Sequence, residues 1–173
     1  MAHVNAAQEI AAEYCQRFGR FYRQGLHELV STPLRLDGEA TSASQVCDAV
    51  REGNHVQLIG PSGSGKSHLA KHSMLSLLDS GSLVIYVEAG MYEGRLSTLL
   101  NRSIARFSTA NFEELLQAAA IDRRLVLLIL DGYNECAQTL RDRLIGDLSA
   151  LCLRFPLVTF STSQTEIPLS GVL

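Results

Sequence analysis

At 173 residues, with 46% hydrophobic side chains and a formal net charge of −3, the chain has the length of one ordinary domain and enough apolar material to bury a core, which excludes a disordered protein. The mild acidity disfavours nucleic acid as a partner, because non-specific binding to a phosphodiester backbone rests on clustered Lys and Arg. Cys15, Cys47, Cys136 and Cys152 lack CxxC spacing and read as reduced core thiols, and the absence of a leader-like segment or an apolar stretch of bilayer length predicts a cytoplasmic protein without membrane contact.

From about residue 6 to residue 30, Ile10, Tyr14, Phe18, Phe21, Tyr22, Leu26 and Leu29 recur at helical spacing and predict one amphipathic helix that must pack on something. Ser31, Thr32 and Pro33 should end it, since proline disfavours the helical conformation in the residue before it. A polar stretch through Ser44 follows, so residues 1–45 read as an N-terminal helix with linker and residues 46–173 as the core domain.

Val56, Gln57, Leu58 and Ile59 form a short buried strand running into Gly60, and residues 69–78 carry the apolar face of a helix that stops near Ser80 and Gly81. A strand over 83–87 follows. Leu96, Leu99, Leu100, Ile104 and Phe107 mark the next helix, and Asn111 is placed to cap another that carries Leu115 and Leu116. The unbroken aliphatic run 125–130 suits the middle of a parallel sheet covered on both faces. Leu140, Leu144, Ile145, Leu148, Leu151 and Cys152 form a last helical stripe, and 157–161 a fourth strand. Alternating strands and helices predict an α/β domain: a three-layer P-loop NTPase core with a mainly parallel sheet and right-handed crossovers, preceded by a helix.

Gly60, Pro61, Ser62, Gly63, Ser64, Gly65, Lys66 and Ser67 satisfy GxxxxGK[ST] between a strand and a helix, the context that motif needs. The glycines let successive N–H groups converge on a β-phosphate, and the helix start adds its positive dipole end. Lys66 supplies a mobile charge for the β- and γ-oxygens and Ser67 a hydroxyl for magnesium. His68, next along, is counted with the cofactor-binding residues; a metal role shared with His72 at i+4 lacks further ligands. The cofactors expected are a purine nucleoside triphosphate, ATP, and Mg²⁺.

A second acidic group should stand at the tip of a neighbouring strand. Asp131 directly follows the aliphatic run, at the carboxyl edge where ligands of open α/β sheets sit, and is the second candidate metal residue. Glu135, just beyond, is placed to orient or deprotonate an attacking water, and with Lys66 makes the candidate catalytic pair. Cys136 has no nearby His and reads as inert, while Arg141 and Arg143 read as a solvated face rather than as arginine fingers.

Leu127 to Leu130 followed by Asp131, Gly132, Tyr133, Asn134 and Glu135 resembles the second motif of the NACHT-type members of the STAND P-loop ATPases: an aliphatic strand, Asp, a small residue, then acids three and four positions on. Asn134 stands where that family has Asp, which leaves one carboxylate and implies slow hydrolysis. Thr159, Phe160, Ser161, Thr162, Ser163 and Gln164 resemble the family's sensor strand, with Thr162 as the group to touch the γ-phosphate and Gln164 in place of an arginine. The resemblance covers roughly residues 53–164. It implies a nucleotide-dependent signalling switch with ATP and ADP as ligands, and a chain that stops before the family's fifth strand, helical lid and winged helix. The first strand would then lie at a sheet edge, covered by self-association, by flanking domains or by the N-terminal helix. The other readings are a nucleotide-holding module with little turnover and a phosphotransferase for a small substrate. No LSGGQ or NKxD segment supports an ABC-type ATPase or a small GTPase.

Overall fold

The computed structural model describes residues 2–26, 34–36 and 39–168, with side chains from 8–26 and 41–168. In chain order the elements are α1 (Ala2–Gln24), β1 (Leu34–Leu36), β2 (Glu39–Thr41), α2 (Ala43–Arg51), β3 (Val56–Ile59), α3 (Lys66–Asp79), β4 (Leu83–Glu88), α4 (Leu96–Ile104), α5 (Phe112–Ile121), β5 (Val126–Asp131), α6 (Arg141–Arg154) and β6 (Val158–Ser163). Strands β3 to β6 form one parallel sheet in the order β3-β6-β5-β4. Every residue of β5 and β6, and all of β4 except Glu88, is buried, so the aliphatic run does lie between covered faces. This is the α/β core with a preceding helix that the alternation predicts.

Local sequence explains several boundaries. Asn111 accepts the Glu114 N–H at 3.0 Å while the Glu114 carboxylate accepts the Asn111 N–H at 2.8 Å, a reciprocal cap that starts α5. Ser42 and Gln45 do the same for α2. That helix is an addition to the predicted elements. Its Ser-x-x-Gln start was legible, but it sits inside a stretch read as linker, and α2 runs through residues 45 and 46. The antiparallel β1–β2 ribbon is also an addition.

The N-terminal helix differs from expectation at both ends: it begins at Ala2 and stops at Gln24, with a turn at Gly25. Residues 27–33, including Leu29 and Pro33, lie outside the described residues. Tyr14 and Phe18 are fully buried, whereas Phe21 is 52% exposed. Phe107, expected in α4, lies beyond its end and packs its ring edge-on to Tyr14 and Phe18, with centroids 6.0 and 5.3 Å away.

The position of α1 corrects a second expectation. It packs on α3, α5 and β4, so it covers the β4 edge and not the β3 edge. An edge strand presents unpaired carbonyls at alternate residues, and here two of them receive hydroxyls. Tyr14 Oη donates to the Val84 carbonyl at 3.0 Å and Ser103 Oγ to the Tyr86 carbonyl at 2.5 Å. At the opposite edge the segment after β6 returns to β3. The Gln57 amide clasps the Ile167 backbone, donating to its carbonyl at 2.9 Å and accepting from its N–H at 3.0 Å. Ile59, at the end of β3, remains 52% exposed.

Candidate functional site

Where β3 ends, the Gly60 N–H donates to the Ser163 carbonyl at 3.1 Å, which ties the start of the glycine loop to the end of β6. The chain then turns back on itself, with Gly63 at φ +74° and Gly65 at φ +84°. Both lie in the left-handed region that a side chain disfavours, and a Cβ at Gly60 would stand 3.1 Å from Ser64 Oγ. Gly65 is the residue before α3, and its carbonyl accepts the Leu69 N–H at 2.9 Å. The N–H groups of Lys66, Ser67 and His68 therefore open the helix with no acceptor of their own inside it. A tight glycine turn leading into three unpaired helix-start N–H groups is an arrangement suited to an anion.

Lys66 is half-buried at the mouth of the loop. Its Nζ donates to the carbonyls of Gly60 at 2.8 Å and Pro61 at 2.7 Å, and to Ser64 Oγ at 3.3 Å. No acidic side chain pairs with it among the described residues. A cation held by neutral dipoles suits an anionic ligand, because its charge is left uncompensated within the protein.

Asp131 ends β5, but β5 is not the neighbour of β3. The intervening strand is β6, a correction to the expected adjacency, and it brings Thr162 between the loop and the carboxylate. Asp131 is 7% exposed and accepts three hydroxyls. Ser67 Oγ donates to Oδ1 at 2.8 Å, Thr162 Oγ1 to Oδ1 at 2.5 Å, and Tyr86 Oη to Oδ2 at 2.5 Å. The Thr162 oxygen also accepts the Gly132 N–H at 2.8 Å, so this 1%-exposed threonine holds the aspartate and the turn after it. Ser67 and Asp131, predicted as the metal pair from positions 64 residues apart, are thus in direct contact.

The donor set at this point is all oxygen. Magnesium suits such a site, using one or two carboxylates with substrate phosphates rather than a dedicated protein cage. No three His, Cys, Asp or Glu side chains gather into a metal cluster among the described residues. His68 packs edge-to-face on His72 with ring centroids 4.7 Å apart.

Glu135 lies in a single 3₁₀ turn, Tyr133–Glu135, and is exposed. Its carboxylate folds back over Gly132, where an added Cβ would come within 2.9 Å of Cδ. Gly132 itself has φ +70°. The small residue in the motif thus has two physical reasons: a left-handed backbone and room for the acid. Arg141 fixes the same loop from below, donating Nε to the Cys136 carbonyl at 3.1 Å and Nη2 to the Asn134 carbonyl at 2.5 Å. Those bonds give it an intramolecular task. Burial pushes the Cys136 thiol up, as expected of an inert cysteine.

Tyr86 is the site residue that the sequence reading missed. Burial first, then its bond to Asp131, raises its hydroxyl far above the ordinary tyrosine value and keeps it a donor. A signal was present: a buried tyrosine in an otherwise aliphatic strand needs a partner for its hydroxyl. The identity of that partner depends on which strand lies alongside.

No protein-family model matches the chain, and no curated protein sequence does. Among solved structures it is similar to Cdc6p from Pyrobaculum aerophilum, at 16% identity and a TM-score of 0.48, over 84% of this chain and 44% of that one. It is also similar to Drosophila ORC bound to Cdc6 with poly(dA/dT) DNA, at 15% identity and a TM-score of 0.44, over 99% of this chain and 29% of that one. The Drosophila complex with GC-rich DNA and Cdc6 gives 14% identity and a TM-score of 0.48, over 98% and 28% of the two chains. The chain spans less than half the length of each. Its own strand order and loop geometry carry the fold: a P-loop NTPase-like α/β core with an added N-terminal helix.

Proposed function

We propose that the chain binds ATP with Mg²⁺ and works as a slowly hydrolysing, nucleotide-dependent switch of the NACHT/STAND kind. One observation carries the reading: the hydroxyl ending the glycine loop touches the carboxylate ending an apolar strand two places away in the sheet, at 2.8 Å. Loop amides and the start of α3 receive the β-phosphate, and Lys66 swings from the Gly60 and Pro61 carbonyls to the phosphate oxygens. Ser67 and Asp131 hold magnesium, whose charge offsets that on the β- and γ-oxygens. Thr162 keeps Asp131 in place, and Glu135 orients the attacking water from the rim. Adenine is favoured over guanine because the chain has no NKxD segment.

The second reading, a nucleotide-holding module with little turnover, is favoured by the acid side of the site. Asn134 leaves Glu135 as the lone carboxylate after Asp131, and that carboxylate rests on Gly132. Calorimetric titration with ATP, ADP and GTP in magnesium buffer, joined to phosphate-release assays, separates the two. Lys66→Ala should abolish both tight binding and release. Release that persists in this variant would refute the assignment of the site, and binding without release would select the module.

A further inference from the structure

Tyr86 bridges two parts of the protein that the sequence keeps far apart. Its hydroxyl bonds Asp131 Oδ2 at 2.5 Å, while its ring meets the Tyr22 ring of α1 with centroids 5.5 Å apart and carries Lys71 Nζ at 5.5 Å. Tyr22 in turn packs on Phe18, with centroids 4.7 Å apart, within the aromatic cluster that seats α1 on the core. Beside this contact lies a cavity of about 300 Å³ lined in part by Glu88, Met91, Arg102 and Arg106. The Tyr86 ring therefore has packed neighbours on some sides and open space on another.

The last torsion of a carboxylate is broad and nearly two-fold, so its plane is set by the hydrogen bonds that its two oxygens accept. Ser67 and Thr162 both use Oδ1. The bond to Oδ2 comes from Tyr86, and it adds a restraint on the second oxygen to the two on the first, against rotation away from the loop.

We propose that Tyr86 is a positioning residue for Asp131, and that Tyr22 steadies the Tyr86 ring, so that the docking of α1 sets how tightly the site takes magnesium. This rests on the nucleotide–magnesium reading above and adds a route by which the N-terminal helix regulates it. When α1 shifts, Tyr22 leaves the ring, Tyr86 relaxes toward the cavity, and Asp131 loses the partner that aims it.

The test measures binding of a fluorescent ATP analogue to the full chain, in EDTA and across a magnesium titration, alongside apo thermal unfolding. Tyr86→Phe keeps the ring and removes the hydroxyl. It should lower the magnesium affinity about tenfold, the lower end of what loss of a partner behind a metal ligand costs, so that about ten times more magnesium is needed for half-maximal binding, and leave binding in EDTA unchanged. Tyr22→Leu, which does not touch Asp131, should move the magnesium dependence the same way by several-fold. Tyr92→Phe is the control for a merely structural loss, since Tyr92 donates to Asp147 at 2.7 Å in a separate hydrogen bond. It should change unfolding without changing the magnesium dependence. A Tyr86→Phe protein with wild-type magnesium dependence, or with equal loss in EDTA, overturns the role of Tyr86. Wild-type behaviour of Tyr22→Leu overturns the link to α1. A wild-type chain that binds no nucleotide overturns the proposed function and this inference together, which the variants alone would not do.

Discussion

Gly132 offers a test in which backbone strain and side-chain displacement can be separated. Its φ of +70° lies in the left-handed region, which costs an L-residue about 1–2 kcal/mol. Alanine also lowers the entropy of the unfolded chain, an effect worth roughly 0.4–1 kcal/mol in the opposite direction. The net loss for Gly132→Ala is then about 1 kcal/mol, or a fall in Tm of roughly 2–4 °C for a chain of this length. The new Cβ would also stand 2.9 Å from Glu135 Cδ. The obstacle is the end of a flexible side chain, so Glu135 moves away at little cost in stability. Gly132→Asn divides the two effects, because asparagine tolerates the left-handed region but still carries a Cβ. Thermal unfolding should show a lowered Tm for alanine and a smaller change for asparagine. Phosphate release should fall in both. An alanine variant as stable as wild type would refute the strain argument, and undiminished release from the asparagine variant would refute a role for Glu135 in this position.

Two further outcomes follow from hydrogen bonds far from the nucleotide loop. His55 Nδ1 accepts the Thr159 N–H at 3.1 Å, so the folded protein needs that nitrogen unprotonated, and burial lowers the pKa below the ordinary 6.5. The unfolded chain takes the proton more readily, hence stability is fully present above 6.5 and declines as the pH falls from there through the folded pKa. Calorimetric Tm values from neutral to mildly acid pH should show this slope, and His55→Gln should flatten it; an identical slope in the variant would exclude His55 as its source. Tyr14→Phe removes the donor to the Val84 carbonyl while keeping the ring, and an unsatisfied buried acceptor costs about 1–3 kcal/mol. Tm should drop by several degrees, and an unchanged Tm would mean that the β4 edge finds another donor.

The glycine loop, the aliphatic strand ending in Asp131 and the cap at Asn111 were legible in the sequence because each is set by residues close together in the chain. A GxxxxGKS frame needs only its own glycines to turn, and a capping box closes over three residues. The α2 helix was legible by the same rule, through Ser42 and Gln45, but its polar surroundings read as linker. What the sequence could not supply was which edges meet. Only the packed sheet put β6 between β3 and β5, so that Thr162 reached Asp131 from one side and Tyr86 from the other. Likewise, the apolar stripe of α1 announced that it must be buried without saying where; the folded chain packs it on α3, α5 and β4, where Tyr14 also donates to the Val84 carbonyl. Periodicity and loop motifs are encoded locally, whereas strand order is chosen by the fit of faces contributed from opposite ends of the chain.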